Sequence, residues 1–117
     1  MSKTTITLLT DQEYRQQSLI AEIAYANKKV KACHAAVRSL QRRGEASVDW
    51  AIQNVNLTNR AAATIETTLE RDADTLTEEL VESATHAAAV ARAASAELRR
   101  QAKLTMARAE KVKADLA

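Results

Sequence analysis

The sequence has almost none of the residues that interrupt helices. Its 117 residues include no proline and only one glycine, Gly44. Because proline and glycine mark most turns and loops, their scarcity predicts few connections and long helices. The same scarcity excludes sites built on glycine-rich loops, such as the phosphate loops of nucleotide-binding proteins.

Large apolar side chains are also scarce. The chain has no phenylalanine, one tryptophan and two tyrosines, whereas alanine supplies 25 of its residues. Apolar burial stabilises a protein by about 25 cal/mol per Å², and an alanine side chain buries little area. A small domain with such a core is marginal, and self-association adds buried surface. We therefore expect a homo-oligomer.

Cysteine and histidine are too few for most kinds of reactive site. Cys33 is the only cysteine, which excludes an intrachain disulfide and fits a reducing compartment. It lies on an apolar seam, and its neighbour His34 points about 100° away around a helix. The other histidine, His86, completes no metal-ligand pattern. We expect no catalytic residues, no metal, no cofactor and no enzyme activity.

The amino terminus does not have the pattern of a signal peptide. No basic segment followed by an apolar stretch opens the sequence, and no run of about 18 apolar residues occurs in it. We expect a cytoplasmic protein without a transmembrane segment. The alternating residues 4–8 predict either a short extended arm or a frayed terminus, and we assign residues 1–10 to a short N-terminal arm.

The first helix is predicted over residues 11–43. Thr10 and Glu13 form a capping box, in which each side chain binds the backbone amide of the other residue. The basic end of this segment and Gly44 are typical of a helix C-terminus. Apolar residues recur between these limits at alternating spacings of four and three, which is the seam of coiled-coil packing: Leu19, Ile23, Ala26, Val30, Cys33, Val37 and Leu40.

The second helix is predicted over residues 47–72, with Ser47 as its N-cap. The short connection after Gly44 requires it to run antiparallel to the first helix. A break at residues 72–75, where aspartate and threonine weaken the helix, and a capping box from Thr75 to Glu78 predict a third helix over residues 75–116. The alternative is a helical hairpin whose second helix is very long and is completed by oligomerisation.

These segments predict an all-α protein, an antiparallel three-helix bundle or coiled coil with residues 11–117 in one domain. When the third helix is paired with the second, residues 102–117 extend beyond the end of the bundle. We expect the overhang, its basic residues and the tryptophan beside the first turn to meet a partner. This candidate interaction surface comprises Trp50, Arg99, Arg100, Lys103, Leu104, Met106, Arg108, Val112 and Leu116.

Charge is balanced overall, at a formal net +2, but is unevenly distributed. Basic residues concentrate in residues 28–43 and 92–113, whereas acidic residues concentrate in residues 66–82. In an antiparallel bundle the basic blocks lie toward one end and the acidic block lies at the other, so the molecule is a polar rod. The alternative is that these charges are only solvated outer faces.

Three functions fit these features. The first is a non-enzymatic scaffold, adaptor or inhibitor that acts through protein-protein interaction and self-association. The second is an amphipathic coat on a lipid or polymer surface. The third is a polyanion or nucleic-acid binder that uses the basic end, although the basic blocks lack the aromatic residues that stack on bases.

Overall fold

A computed structural model describes residues 10–117, which form three antiparallel α-helices joined by two short turns. Helix α1 spans Asp11–Arg43, α2 spans Val48–Asp72 and α3 spans Glu78–Leu116. The turns are 3-10 segments at Gly44–Ser47 and Ala73–Thr75. The three-helix bundle is therefore confirmed. The alternative hairpin with one continuous second helix is wrong, because the chain turns after Asp72.

The first helix begins and ends where its sequence signals predicted. The Glu13 amide donates to the Thr10 hydroxyl oxygen over 3.1 Å, and the Thr10 amide donates to the Glu13 carboxylate over the same distance. At the other end Gly44 adopts φ 59° and ψ −133°, and its amide donates to the Leu40 carbonyl. A positive φ of this kind is open to glycine because it has no Cβ.

Two predicted N-caps differ from the structure. Ser47 does not cap α2, because its backbone is helical and its hydroxyl lies 2.7 Å from the Ser39 hydroxyl instead. The predicted capping box from Thr75 is also wrong. Thr75 lies in the turn, where its hydroxyl donates to the Asp72 carbonyl. Thr77 caps α3 and accepts a hydrogen bond from the Leu80 amide, so α3 begins three residues later than predicted.

The core consists of two clusters along the bundle axis. The cluster toward the second turn is mostly alanine, with Leu19 and Ile65 as its largest fully buried side chains. The cluster toward the first turn contains larger residues: Cys33, Ala36, Leu40, Val48, Ala51, Val55, Leu98 and Ala102. The predicted seams supply most members of both clusters. Small residues opposite large ones allow close approach of the helices.

The overhang of α3 is shorter than predicted. Ala102 is buried and Met106 packs against the core cluster beside the first turn. The predicted overhang assumed that α3 packs only along α2, which has 25 residues, but α3 also packs along α1, which has 33. Continuous exposure begins only at Glu110. The predicted N-terminal arm, apart from Thr10, falls outside the described residues.

Candidate interaction surface

An open groove lies between α2 and α3 beside the first turn. We call it the α2/α3 groove. It has a volume of about 500 Å³, and its apolar lining includes Val48, Ile52, Val55, Ala102 and Met106. Ile52 is 47% exposed, although it is a large aliphatic residue. Because burying such a side chain contributes about 1.5–3 kcal/mol, this exposure leaves binding energy available to a partner.

Two cations, Arg99 and Lys103, line the α2/α3 groove, and Glu110 lines it as the only carboxylate. Neither cation has an ion-pair partner within residues 10–117, whereas Arg100 is paired with Glu97 over 2.7 Å. That pairing lowers the pKa of Glu97 to about 2. Because Arg99 and Lys103 have no such partner, they are available to pair with an external carboxylate.

The groove continues toward the middle of the bundle as a polar cleft. Its lining includes Asn59 and Ser95, whose side chains are hydrogen bonded to each other. Beyond them Arg92 of α3 and Glu66 of α2 form an ion pair over 2.6 Å. The Arg92 hydrogen bond lowers the pKa of Glu66. This pair shows that Glu66 faces α3. The apolar groove ends at this pair, on the side toward the middle of the bundle.

The groove and the cleft lie on the side of the bundle formed by α2 and α3, which we call the α2/α3 face. This face is acidic at the end beside the second turn. Glu70 follows Glu66 by one helical turn and therefore shares its side of α2. Glu78 precedes Arg92 by two heptads and therefore shares the side of α3 that faces α2. Glu70 and Glu78 are exposed, and neither has an ion-pair partner within the described residues. The α2/α3 face thus has cations at one end and carboxylates at the other.

The residues of the predicted interaction surface fall on several faces. Arg99, Lys103 and Met106 line the α2/α3 groove. Arg108 and Val112 line a separate cavity of about 440 Å³ between α3, the end of α1 and the first turn. The remaining four line neither: Trp50 is on α2, Arg100 is paired, and Leu104 and Leu116 are 38% and 82% exposed on α3.

The groove between α1 and α2 holds the aromatic residues. Tyr14 and Tyr25 line its cavities together with serine, threonine and alanine residues. Trp50 precedes Leu57, another lining residue, by seven positions, so it lies on this side of α2. All three aromatic side chains are 43–65% exposed. The ammonium of Lys29 lies 5.2 Å from the centroid of the Tyr25 ring.

Some charged groups in and beside the α1/α2 groove are bonded within the chain. The hydroxyl of Thr68 donates to the Glu22 carboxylate over 2.8 Å. Asp72 is buried and lies 2.8 Å from Arg71 and 3.9 Å from Arg15. The hydrogen bonds from Arg71 lower the pKa of Asp72. This groove is therefore polar, and it also holds Arg60, a cation without an ion-pair partner in the described residues.

Groups with chemical reactivity do not converge on any groove of the described residues. Cys33 is fully buried, and its sulfur lies 3.1 Å from the Thr58 hydroxyl oxygen. Burial raises the pKa of the Cys33 thiol, which keeps it protonated and unreactive. Within residues 10–117 no group of three or more histidine, cysteine or acidic residues is arranged to hold a metal ion.

None of the helices in this part of the chain is both long enough and apolar enough to cross a membrane. Comparisons with protein-family models, curated proteins and solved structures found no match to this chain.

Sequence reasoning missed Ile52, Glu70 and Glu78 as parts of the interaction surface. Ile52 lies off the α2 seam, and a bulky aliphatic residue off the seam was the available signal. The acidic residues were recognised as a block, but the sequence pattern does not show how they divide among the faces of the bundle. That division depends on which helix lies beside each face.

Proposed function

We propose that this chain is a non-enzymatic interaction protein that binds a helix in its α2/α3 groove. The observation that supports this proposal is an open apolar groove flanked by two cations without ion-pair partners. A helix fits because the groove runs between two parallel ridges of side chains, as in other helix-in-groove interactions. The bound helix would present apolar residues to Ile52 and Met106 and acidic residues to Arg99 and Lys103.

Charge and apolar contact contribute differently to such binding. The apolar contacts of Ile52 and Met106 supply most of the affinity, since apolar burial is the dominant favourable contribution to association. The cations Arg99 and Lys103 select acidic helices and accelerate association, an effect that salt screens. We also propose that the protein self-associates and that it acts in the cytoplasm.

The two other functions inferred from the sequence have less support. An interfacial coat needs one continuous apolar stripe. The exposed large apolar side chains instead lie on all three helices, with Tyr14 and Ile20 on α1, Trp50 and Ile52 on α2, and Leu104 on α3. A polyanion site would use the cleft lined by Arg92, Arg99, Arg100 and Lys103, but two of these four cations, Arg92 and Arg100, are already paired with carboxylates.

The proposal is tested with a designed helical probe. A fluorescent peptide of about three heptads carries leucine on one face and glutamate on its flanks, and its binding is measured by fluorescence anisotropy. We expect saturable binding that weakens with salt. Ile52→Asp is expected to weaken binding at least about tenfold, because it removes apolar contact and adds a like charge.

Ile20→Asp is the matched control, because Ile20 is 53% exposed on α1 and does not line the groove. Circular dichroism checks that both variants remain helical. No binding of the acidic peptide, or equal losses in the two variants, would refute the groove as the binding site. Preference for a peptide with lysine flanks would refute the role of Arg99 and Lys103.

A further inference from the structure

The walls of the α2/α3 groove have the residue spacing of a coiled coil. The lining residues of α3 follow one another at spacings of four, three and four: Arg99, Lys103, Met106 and Glu110. On α2, Ile52 and Asn56 are four positions apart, and Asn59 of the adjoining cleft follows three positions later. Alternating spacings of four and three keep side chains directed at a neighbouring helix that crosses at a shallow angle.

This outer seam is separate from the seams that hold the bundle together. Val55 and Leu98 of the core are buried, whereas Ile52 and Asn56 on one wall and Arg99 on the other are exposed. No helix among residues 10–117 covers the outer seam. A partner helix can therefore pack there as a fourth helix, with its own heptad seam facing α2 and α3.

The groove and the adjoining cleft define the length of that helix. Arg92 lines the far end of the cleft, and Glu110 lines the end of the groove beside the first turn. They are 18 positions apart in α3, or about 27 Å at 1.5 Å per residue. A bound helix of about five turns spans this distance.

Charge changes sign along the α3 wall of the groove. Arg99 and Lys103 lie toward the middle of the bundle, and Glu110 lies seven positions beyond Lys103, or about 10 Å closer to the end of α3. Glu110 is exposed and has no ion-pair partner within the described residues. Lys113, one turn further along α3, is instead paired with Glu45 over 2.9 Å.

Asp49 adds a second carboxylate at the same end of the groove. It precedes the lining residue Asn56 by seven positions, so it lies on the same side of α2. The hydrogen bond between Asn59 and Ser95 sets the register of the antiparallel helices. Asp49 is ten positions before Asn59 and is therefore level with about residue 105 of α3, between the cations and Glu110. Asp49 is exposed.

We propose that the partner in the α2/α3 groove is a helix of another protein with heptad spacing and a fixed order of charge. This inference rests on the proposed function and specifies its partner. Two acidic residues of that helix, one turn apart, meet Arg99 and Lys103. Basic residues about two turns further along meet Glu110 and Asp49. Apolar contact supplies most of the affinity, and the order of charge selects the partner and its register.

Designed peptides of three heptads test the order of charge. The ordered peptide has a leucine seam, two glutamates one turn apart and lysines two turns further, and it is made with this order starting from either terminus. The uniform peptide has the same seam with glutamate at every flanking position. One side-chain cross-link keeps every peptide helical, and binding is measured by fluorescence anisotropy at low salt. We expect the tighter ordered peptide to bind about threefold or more tightly than the uniform one.

Glu110→Lys is the variant that tests the carboxylate end of the groove. It should reverse the preference, so that the uniform peptide binds more tightly than the ordered one. Asp115→Lys is the matched control, because it makes the same change of charge on α3 but lies five positions after Glu110, on another side of the helix. The preference should remain in this control. An unchanged preference in Glu110→Lys, or a reversed one in Asp115→Lys, would overturn the proposed order of charge.

A scrambled peptide tests the heptad packing. It has the composition of the ordered peptide with its leucines distributed around the helix, and it should bind at least about tenfold more weakly because it buries less apolar surface. Equal binding of the scrambled peptide would overturn the coiled-coil packing.

The same measurements separate this inference from the proposed function. If the ordered and uniform peptides bind the wild type equally, the groove still binds an acidic helix and only the order of charge is wrong. If no peptide binds, the inference and the proposed function both fail.

Discussion

The two ends of the bundle are closed in different ways. The second turn lies at one end of the bundle, which we call the Asp72 end. Polar groups there connect the start of α1 with the end of α2 and with the second turn, and they cap the start of α3. The side-chain amide of Gln12 donates to the Thr75 carbonyl, the carboxylate of Asp72 lies near Arg15, and Thr77 caps α3. At the first turn, the Gly44 end, Gly44 reverses the chain and Lys113 of α3 pairs with Glu45 of the turn over 2.9 Å. The larger apolar residues of this end pack beneath an open groove.

Because of this difference, we expect the two ends to contribute differently to folding stability and to partner binding. The Asp72 end has a core made mostly of alanine, and polar bonds on its surface compensate for the small area that alanine buries. The Gly44 end has larger core residues, and it leaves Ile52 and two unpaired cations exposed. We therefore expect substitutions at the Asp72 end to affect mainly folding, and those at the Gly44 end to affect both folding and binding.

Core truncation is expected to have the largest effect. Leu98→Ala and Leu19→Ala each remove a fully buried leucine, from the Gly44 end and the Asp72 end respectively. Each should lower the free energy of unfolding by about 2–5 kcal/mol, because the surrounding helices fill the cavity only partly. Only Leu98→Ala should also weaken peptide binding, since Leu98 packs with the residues that line the groove.

Urea unfolding in high salt measures the stability of the monomer, and anisotropy measures binding. A loss below about 1 kcal/mol in Leu98→Ala would contradict the tightly packed core. Equal losses of peptide binding in both variants would contradict the distinction between the two ends.

Gly44→Ala tests whether the first turn requires the positive φ that glycine adopts there. A Cβ at this position would meet no atom within 4 Å, so the substitution acts only through the positive φ of 59°. We expect a loss of about 1–3 kcal/mol in the free energy of unfolding from backbone strain. The result is measured by thermal and urea unfolding.

Ala73, in the turn at the Asp72 end, is the control position for Gly44. Ala73 has φ −50° and ψ −40°, an ordinary helical conformation, so Ala73→Gly should cost about 1 kcal/mol or less. If Gly44→Ala is as stable as the wild type, the first turn does not depend on glycine.

Loss of the α3 cap is expected to have a smaller effect. Thr77→Ala removes the hydroxyl that accepts from the Leu80 amide and should cost about 1 kcal/mol. Thr77→Ser retains an acceptor and should lose less. Stability is measured by urea unfolding, and a loss as large in the serine variant would show that the hydroxyl does not act as a cap.

Acid is expected to weaken the folded state through small contributions from carboxylates that accept hydrogen bonds or form ion pairs in it. Folding lowers the pKa of Glu13, Glu66 and Asp72 from ordinary values of 4.5, 4.5 and 3.8. A lowered pKa means that the folded state favours the ionised form. The resulting stability is complete above about pH 4.5 and is lost as pH falls through the lowered values.

Urea midpoints measured between pH 7 and pH 2.5 should therefore decline below pH 4.5. Asp72→Asn should be less stable than the wild type at pH 7 and should show a smaller decline. A variant whose decline equals that of the wild type would show that Asp72 does not contribute to the pH dependence.

Local signals predicted the helices well wherever the deciding interactions lie within a few residues. The capping box at Thr10 and the glycine at position 44 determine where α1 begins and ends, because their hydrogen bonds and dihedral angles are local. The second turn was placed correctly but its cap was not. Thr75 fits the capping pattern, yet its carbonyl accepts from Gln12 of α1, and no local pattern contains that contact.

The candidate surface was predicted less well, because position along a helix does not specify which neighbour a side chain faces. Arg99 and Lys103 were identified from their charge, but their place in a groove with Ile52 depends on α2 lying beside them. Trp50 was grouped with them because it is close to the turn. It lies on the other side of α2 because a difference of two residues rotates a side chain by about 200° from Ile52.

The sequence by itself determined the three amphipathic helices, their seams and the antiparallel order that gives the rod its polarity. Helix periodicity and short connections are sufficient for these features. Only the tertiary structure decided that α3 continues along α1, that the overhang is short and that one face carries both unpaired cations and unpaired carboxylates. These features depend on the relative lengths and rotations of packed helices, which arise from contacts between residues far apart in the chain.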